Sequence, residues 1–384
     1  MAKFSNKKKN DIQANEEKQL LLDPDRAERE RKKRCIRIVA LSVGIPVTVI
    51  VVAVVGVLIF GAIGKASLKQ VSVRQPTLAA AQTAEMLTEE ETEIWQEGWV
   101  KYQGQIYAYN EDMMTFLFMG IDRRGETVKE VAEGTNGGQA DALFLLALNP
   151  HNKTASVIGI NRNTMTEIDI YNEEGAYVNT VIAQIAVQHG FGNGVEKSCE
   201  YQEKTVSRLF YNLPIHGYAA INMSAIETLN DEVGGVDVTV LEDMTSESSL
   251  FREGETVHLE GKDALTYVRY RDEEAFASAD RRLERQKQYL TEFIKAAKSM
   301  AKKDITSVVR LYQAVSPMMV TDISADEAVY LASQALDYRI GPDSFHMLKG
   351  ETVMGEQFEE YNIDEEALYE MILQIFYEPV LREP

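Results

Sequence analysis

The chain is poor in cysteine, since its 384 residues include only Cys35 and Cys199. These two lie on opposite sides of a long apolar segment, which excludes a disulfide within the larger part that follows the segment. That part, roughly 300 residues long, is large enough to be stabilised by a hydrophobic core without cross-links. Cys199 is expected to be a small buried apolar residue of this core.

Short motifs of common enzyme classes are absent as well. The sequence has no GxSxG, HExxH or CxxC motif and no glycine-rich phosphate loop ending in Lys-Ser or Lys-Thr. The common hydrolase, zinc-enzyme and P-loop interpretations therefore have no support. Two of the five histidines, His189 and His216, are expected to be hydrogen-bonded core residues rather than ligands.

Positive charge is scarce outside the N-terminal region. Residues 1–37 contain 12 basic and 7 acidic residues, and residues 38–64 contain none of either. The remainder contains 28 basic and 53 acidic residues, a net charge of −25. Such a domain repels nucleic acid, so no nucleic-acid partner is expected. An anionic substrate must be captured by a local basic cluster or by a metal ion.

One long hydrophobic run is present, at residues 38–64. Its 27 uncharged residues exceed the roughly 20 needed to span a bilayer, which predicts a transmembrane helix. A cleaved signal peptide, the alternative, would have a shorter apolar core nearer the start. The basic residues before the run indicate a cytoplasmic N-terminus and a single-pass protein of the cell membrane, with the rest outside. These residues are Arg31, Lys32, Lys33, Arg34 and Arg37.

The remaining pattern predicts four regions: a cytoplasmic tail (1–37), the transmembrane helix (38–64), an extracellular stalk (65–110) and one folded domain (111–384). Short apolar runs predict strands in the folded domain, and amphipathic segments predict helices between them. This alternation is typical of an α/β sandwich with one central sheet. The predicted strands are Thr115–Ile121, Ala142–Leu148, Ser156–Ile160, Gly217–Asn222, Val236–Val240 and Ser344–Lys349. The predicted helices are Ser224–Val233, Gly261–Tyr270, Asp280–Lys302, Ala325–Leu336 and Asp364–Phe376.

Two acids are candidate metal ligands. Asp122 ends the first predicted strand, and Asp141 precedes the second. If these strands are neighbours, the two carboxylates converge at one edge of the sheet, where they would suit Mg²⁺ or Mn²⁺. The alternative is a pair of unrelated loop acids.

Five arginines within 17 residues form a candidate phosphate site. Guanidinium groups bind phosphate oxygens in forked geometry and keep their charge. The alternative is a solvated helix face with pairs such as Arg281–Glu284. Arg162, just after a predicted strand, could join this group. The five arginines are Arg269, Arg271, Arg281, Arg282 and Arg285.

Six segments, in order over roughly residues 115–300, resemble the LytR-CpsA-Psr family of membrane-anchored cell-wall enzymes. They are FLFMGIDRRGE, QADALFLLALNP, SVIGINRNTM, NDEVGGVDVTV, LEGKDALTYVRYR and DRRLERQ. The resemblance implies an α/β/α sandwich with a central mixed sheet and a long apolar groove for a polyprenyl pyrophosphate. It also implies transfer of a glycopolymer phosphate from that lipid to a peptidoglycan hydroxyl. A non-catalytic lipid-phosphate sensor and a pyrophosphatase are the alternatives.

By this resemblance, Asp122 and Asp141 match the Mg²⁺-binding acids. The residues that match the pyrophosphate-binding positions are Arg123, Arg162, Arg269, Arg271, Arg282, Arg285 and Gln286. Three positions depart from the family pattern: Asn163 replaces an Asp, Arg281 a Gly and Gln184 a Lys. The resemblance leaves open which wall polymer is transferred.

Overall fold

The computed structural model describes residues 75–380, apart from 79–86, 124–130, 132–136, 273–274, 305, 325–326, 328–329, 332–333 and 335. The predicted cytoplasmic tail and transmembrane helix lie outside the described residues. In the part that is described, every helix is too short or too polar to cross a bilayer.

The described helices and strands are numbered here in chain order. The α-helices are α1 (Glu89–Ile94), α2 (Glu196–Leu209), α3 (Ala225–Glu232), α4 (Lys262–Arg269), α5 (Ser278–Lys303), α6 (Thr306–Val315) and α7 (Glu365–Phe376). The first strands are β1 (Val100–Tyr102), β2 (Gln105–Tyr109), β3 (Met114–Ile121), β4 (Ala140–Asn149), β5 (Thr154–Ile160), β6 (Met165–Tyr171), β7 (Tyr177–Gln184) and β8 (Tyr218–Asn222). The later strands are β9 (Val236–Thr239), β10 (Thr256–Leu259), β11 (Met319–Thr321), β12 (Phe345–Met347), β13 (Gly350–Met354), β14 (Glu359–Ile363) and β15 (Tyr377–Pro379).

The central sheet has six strands in the order β11-β8-β3-β4-β5-β12. It is mixed, because β3 pairs in parallel with β8 and antiparallel with β4. The middle strands are apolar along nearly their whole length, as expected of strands covered on both faces. This confirms the predicted α/β class with one mixed central sheet.

Helices cover both faces of this sheet. Leu143 and Leu145 pack into the main core, which also contains residues of α2 and α7. Phe144, between them on β4, points to the opposite face and packs with Leu283 of α5. Alternating side chains of one strand therefore contact different helix layers, as the predicted α/β/α sandwich requires.

A smaller core lies beside the sandwich. The antiparallel ribbon of β9 and β10 packs with α4 and α5 through residues such as Val238, Leu259 and Tyr267. This second core holds the C-terminal end of α4 in place, which matters for the candidate site.

Most predicted elements of the domain are confirmed within a few residues. The helix predicted at Ala325–Leu336 lies largely outside the described residues. His189 and His216 are buried, and each makes a hydrogen bond, as predicted. The prediction omitted the hairpins β6–β7 and β13–β14.

The stalk predicted for 65–110 is corrected for residues 100–109. These residues form β1 and β2, and β2 pairs with the C-terminal strand β15. Val100 and Ile106 are almost fully buried, and Val100 belongs to the main core. Burial of apolar side chains therefore makes this stretch part of the folded domain.

Candidate active site

The two predicted acids lie at the same edge of the central sheet. Ile121 at the end of β3 pairs with Ala140 at the start of β4. Asp122 is the residue after Ile121 and Asp141 the residue after Ala140, so the two acids lie on neighbouring strands. The condition for their convergence, that the two strands are neighbours, is met. The Asp141 side chain is buried, whereas the Asp122 side chain is 45% exposed.

Two arginines bind the Asp141 carboxylate. Arg162, just after β5, places Nη1 2.7 Å from Oδ1 of Asp141. Arg282 of α5 donates from Nη1 to Oδ2 of Asp141 at 3.2 Å. These three residues, called the Asp141 cluster below, join two strand ends of the sheet to the helix that covers it.

The Asp141 cluster contains polar atoms without aligned partners. Nε of Arg162 and Nη2 of Arg282 are buried and have no hydrogen-bond acceptor among the described residues. Oδ1 of Asp141 likewise has no aligned donor, although Nη1 of Arg162 is close. Buried polar atoms are nearly always hydrogen-bonded, so a cluster of unused ones is typical of a binding site.

The electrostatics of the Asp141 cluster are dominated by burial. Burial lowers the pKa of both Arg162 and Arg282, and the carboxylate of Asp141 opposes this by raising it. The charge of Arg271 lowers the pKa of both further. Arginines nevertheless stay protonated in proteins. Two guanidinium charges therefore share one carboxylate, and Arg271 lies near enough to repel them.

Arg269 and Arg271 lie beside this cluster, at the end of α4 and in the loop after it. Nη2 of Arg269 lies 3.3 Å from Oδ1 of Asp122. Arg271 donates from Nε to Ser278 Oγ at 2.8 Å, and its Nη2 lies 3.5 Å from Oε2 of Glu359. Both arginine side chains are about one-third exposed, so they are accessible to a ligand.

Arg285 and Gln286 lie differently from the prediction. Arg285 is 1% exposed and directs its three nitrogens at the Tyr267 carbonyl, the Tyr270 carbonyl and the Glu242 carboxylate. Gln286 donates to the carbonyl of Val268 at 3.2 Å. These carbonyls lie at the C-terminal end of α4, where a helix has no backbone partners of its own. This pair, called the Arg285 brace below, supports α4 instead of facing Asp141.

The Arg123 side chain packs against two glycines, Gly138 and Gly194. A Cβ on Gly138 would lie 3.1 Å from Cγ of Arg123, and one on Gly194 would lie 2.5 Å from its Nη1. Both glycines have positive φ, so a larger residue there would be strained as well as crowded. Burial lowers the pKa of Arg123.

Two departures from the family pattern also lie near the site. Gln184 donates from Nε2 to the backbone carbonyl of Glu359 at 2.7 Å. Asn163 is buried next to Arg162, and its Nδ2 has no acceptor in the described part of the chain. The Asn163 carbonyl accepts a hydrogen bond from the backbone of Tyr361. The β13–β14 hairpin thus reaches both positions.

The acids at this edge fit a magnesium ion. The described residues contain no group of three or more His, Cys, Asp or Glu side chains arranged to hold a metal. Magnesium, however, is usually held by one or two carboxylates together with water and substrate phosphates. Among the described residues, Asp122 is exposed with one long side-chain contact, and Oδ1 of Asp141 lacks an aligned donor, so both carboxylates have room for a cation.

Residues that sequence reasoning missed complete the site. Gln139 accepts a hydrogen bond from Nη2 of Arg162, and Glu359 lies beside Arg271. Asp280 accepts hydrogen bonds from Asn161 and Thr352. Glu359 and Thr352 lie beyond residue 300, outside the segments that carry the resemblance, and no local pattern distinguishes Glu359 among 60 acidic residues.

Comparison with known proteins gives consistent matches. The family model described as the LytR_cpsA_psr family matches residues 73–375. A Bacillus cereus protein named polyisoprenyl-teichoic acid–peptidoglycan teichoic acid transferase TagU is 28% identical over 223 residues. The match covers 58% of this chain and 64% of that protein, so the chain spans less than two thirds of its relative's length.

Solved structures share the fold. Protein gbs0355 from Streptococcus agalactiae matches with a TM-score of 0.55 and 22% identity, over 68% of this chain and 86% of that one. TagV from B. subtilis matches with a TM-score of 0.52 and 22% identity, over 68% of this chain and 96% of that one. At this identity the likeness concerns the fold alone.

Proposed function

Because the chain belongs to the LytR-CpsA-Psr family, we propose that it is a transferase that moves a glycopolymer phosphate from a polyprenyl-pyrophosphate carrier to peptidoglycan during cell-wall assembly. The name of its Bacillus cereus relative supports this proposal, because it describes a teichoic acid transferase acting on peptidoglycan. Teichoic acid is therefore the first glycan to test.

The observation that carries the proposal is the Asp141 cluster. Its two buried guanidinium groups share one carboxylate, and each retains an N–H for which the described part of the chain supplies no acceptor. The cluster is therefore positive and has unused donors, in a chain whose formal net charge is −20. Guanidinium groups in this state bind phosphate oxygens strongly.

The residues divide the chemistry between them. In the transfer, a bond forms between the acceptor oxygen and phosphorus as the bond to the leaving polyprenyl phosphate breaks, and the proton of the acceptor hydroxyl is released to solvent. Arg162 and Arg282 donate to the oxygens of the diphosphate from its buried side. Arg269 and Arg271 reach it from the exposed side. Fixed positive groups stabilise the charge that develops on the transferred and leaving oxygens.

We further propose that Asp122 and Asp141 hold Mg²⁺, with Mn²⁺ as an alternative. When bound, the ion would neutralise negative charge on the phosphate oxygens. Asp141 then has two roles, since it also orients Arg162 and Arg282.

The apolar run at 38–64 supports a proposed location in the cell membrane. A single spanning helix with its N-terminus in the cytoplasm would leave the catalytic domain outside, where peptidoglycan is found. It would also hold the site close to a lipid substrate that stays in the bilayer.

A product analysis tests the proposal. The full chain in lipid nanodiscs is incubated with a polyprenyl-pyrophosphate glycan, Mg²⁺ and peptidoglycan oligomers. Glycan attached to peptidoglycan is the expected product. Release of free phosphoglycan would instead indicate a pyrophosphatase, and unchanged substrate would indicate a lipid-phosphate sensor.

Two substitutions test the site. We expect Asp141→Ala and Arg269→Ala each to lower turnover by about 100-fold or more while the fold persists. Arg269 neutralises charge that develops in the transition state, whereas Asp141 would hold the Mg²⁺ ion and orients Arg162 and Arg282. Arg310→Ala is the control, since Arg310 forms an exposed ion pair with Asp304. Turnover is measured as glycan transferred per minute, and circular dichroism checks the fold. Near-normal turnover in either site variant would overturn the assignment.

A further inference from the structure

The β13–β14 hairpin places one carboxylate at the candidate site, that of Glu359. Its Oε1 accepts a hydrogen bond from the backbone N–H of Ala277 at 2.8 Å, and its Oε2 lies 3.5 Å from Nη2 of Arg271. The Glu359 side chain is only 9% exposed. One buried carboxylate therefore joins the loop that carries Arg271 to the start of α5.

The start of α5 needs such an outside acceptor. Ala277, the residue before the helix, has a left-handed backbone and a side chain that cannot accept a hydrogen bond. Carboxylates near a helix N-terminus are favourable, because they accept from free N–H groups and oppose the helix dipole. Glu359 supplies this carboxylate from a distant part of the chain.

Arg271 is held from two sides at this point. Its Nε donates to Oγ of Ser278, the first residue of α5, while Glu359 faces its Nη2. Ser278 is buried, which limits the positions open to the guanidinium. Without these partners Arg271 would be pushed away by Arg162 and Arg282, because all three are positive and lie close together.

The hairpin that carries Glu359 is itself fixed to the site. Thr352 of β13 donates to Oδ2 of Asp280 at 2.6 Å. The backbone N–H of Tyr361 in β14 donates to the carbonyl of Asn163 at 2.9 Å. Both strands are thus attached to elements that carry Arg162 and Arg282, so the carboxylate has a defined place relative to them.

We propose that Glu359 is a positioning residue of the pyrophosphate site, which acts by fixing the guanidinium of Arg271 against the start of α5. The inference rests on the proposed function and extends it to a part of the chain that the family-like segments do not include. Glu359 does not touch the reacting groups. It sets the direction from which Arg271 reaches the diphosphate.

The substitution Glu359→Gln separates positioning from simple support of the fold. Without the carboxylate, Arg271 loses its fixed direction, and we expect kcat to fall about 10- to 100-fold, as for other residues that orient a binding group. The lost negative charge beside Arg271 should meanwhile tighten binding of inorganic pyrophosphate about three- to tenfold. Isothermal calorimetry and the transfer assay, both on the full chain in nanodiscs, measure the two effects. A residue that only supported the fold would lower the melting temperature and would not tighten binding.

A matched control removes the same charge from the next residue. Glu360 lies on the opposite face of the hairpin, in register with Val353. We expect Glu360→Gln to change neither kcat nor pyrophosphate affinity. Ser278→Ala is a second probe, because it removes the hydroxyl that accepts from Nε of Arg271 and keeps every charge. It should lower kcat without tightening binding.

A double substitution tests whether Glu359 acts through Arg271. In an Arg271→Ala background, Glu359→Gln should leave kcat unchanged, because residues that act through one another are not additive. Equal losses with and without Arg271 would overturn the inference.

The outcomes also separate this inference from the proposed function. If the wild type transfers glycan and Glu359→Gln behaves like Glu360→Gln, the inference is overturned and the proposed function stands. Tighter pyrophosphate binding in Glu359→Gln but not in Glu360→Gln, in a protein that transfers nothing, would support the place of Glu359 beside the pyrophosphate site and overturn the function. A protein that neither binds pyrophosphate nor transfers glycan would overturn both.

Discussion

The Asp141 cluster and the Arg285 brace place the same kind of side chain in opposite situations. Arg282 and Arg285 lie three residues apart on α5, and both are almost fully buried. Arg282 shares a carboxylate with Arg162 and keeps a nitrogen that meets no acceptor among the residues the structure describes. Arg285 directs all three of its nitrogens at two carbonyls and the Glu242 carboxylate.

The difference separates binding from support. A buried arginine whose donors all have protein partners cannot give them to a ligand without breaking the structure around it. A buried arginine with an unused donor can bind an anion at little cost to the fold. Burial lowers the pKa of Arg285 to about 10, which still leaves it charged at neutral pH. Charge is therefore present in both places, and only the partners differ.

The strongest test of this comparison is the loss of the Arg285 brace. Arg285→Ala should lower the free energy of unfolding by about 3–5 kcal/mol, because it leaves two buried carbonyls and part of Glu242 without a partner. Urea unfolding of the full chain in nanodiscs, followed by fluorescence, measures the change. Pyrophosphate affinity of the folded fraction should stay within about threefold. A hundredfold loss of affinity with normal stability would instead make Arg285 a ligand-binding residue.

The opposite pattern is expected for the Asp141 cluster. Arg282→Ala should weaken pyrophosphate binding about 100-fold, which corresponds to about 2.7 kcal/mol. Its cost in stability should be smaller, about 1–3 kcal/mol, because Arg162 still pairs with Asp141. Calorimetry with pyrophosphate gives the affinity, and the matched partner is the Arg285→Ala variant in the same assay. If both variants lost affinity and stability in equal proportion, the distinction would fail.

This distinction could not be predicted from the sequence. Residues three and four apart lie on the same side of a helix, so spacing alone directs Arg282, Arg285 and Gln286 toward one neighbourhood. Which of them meets Asp141 depends on where α4 ends in space, and that is decided by the separate core around β9 and β10. The position of Glu359 could not be predicted from the sequence either, because it lies 82 residues from its hydrogen-bond partner Ala277.

Other features were predictable because a local pattern carries them. The apolar runs of β3, β4 and β5 are covered on both faces, so their hydrophobic sequence predicts the strands directly. Asp122 and Asp141 converge because neighbouring strands bring them to one edge. The strand β7 was missed for the opposite reason: its first six residues are exposed, so it has no buried face to give an alternating pattern.

Acidic side chains differ in their partners in the same way as the arginines do, and here the predicted change in stability is the smallest. Asp141 is buried beside arginines, whereas Glu203 on α2 is half-buried near Asp322 and Glu200. Burial, and then repulsion by these two acids, raises the pKa of Glu203 to about 7. Above that pH the folded protein holds a charge at a half-buried position near two other acids, which is unfavourable and which the unfolded chain does not have. Glu203→Gln should therefore stabilise the protein at pH 8 by about 1–2 kcal/mol.

The sign of the pH dependence makes this prediction specific. As the pH falls from 7 to 4.5, folded Glu203 takes up a proton before the unfolded chain does, so the wild type regains stability and the difference from Glu203→Gln disappears. Unfolding free energies at pH 8, 6 and 4.5 measure the trend. Glu196→Gln is the control, because Glu196 is exposed at the start of the same helix, where a carboxylate is favourable, so its substitution should not stabilise the protein at any of these pH values. A Glu203→Gln variant that is less stable than the wild type at pH 8 would show that the carboxylate has a favourable partner there, as Asp141 has in Arg162 and Arg282.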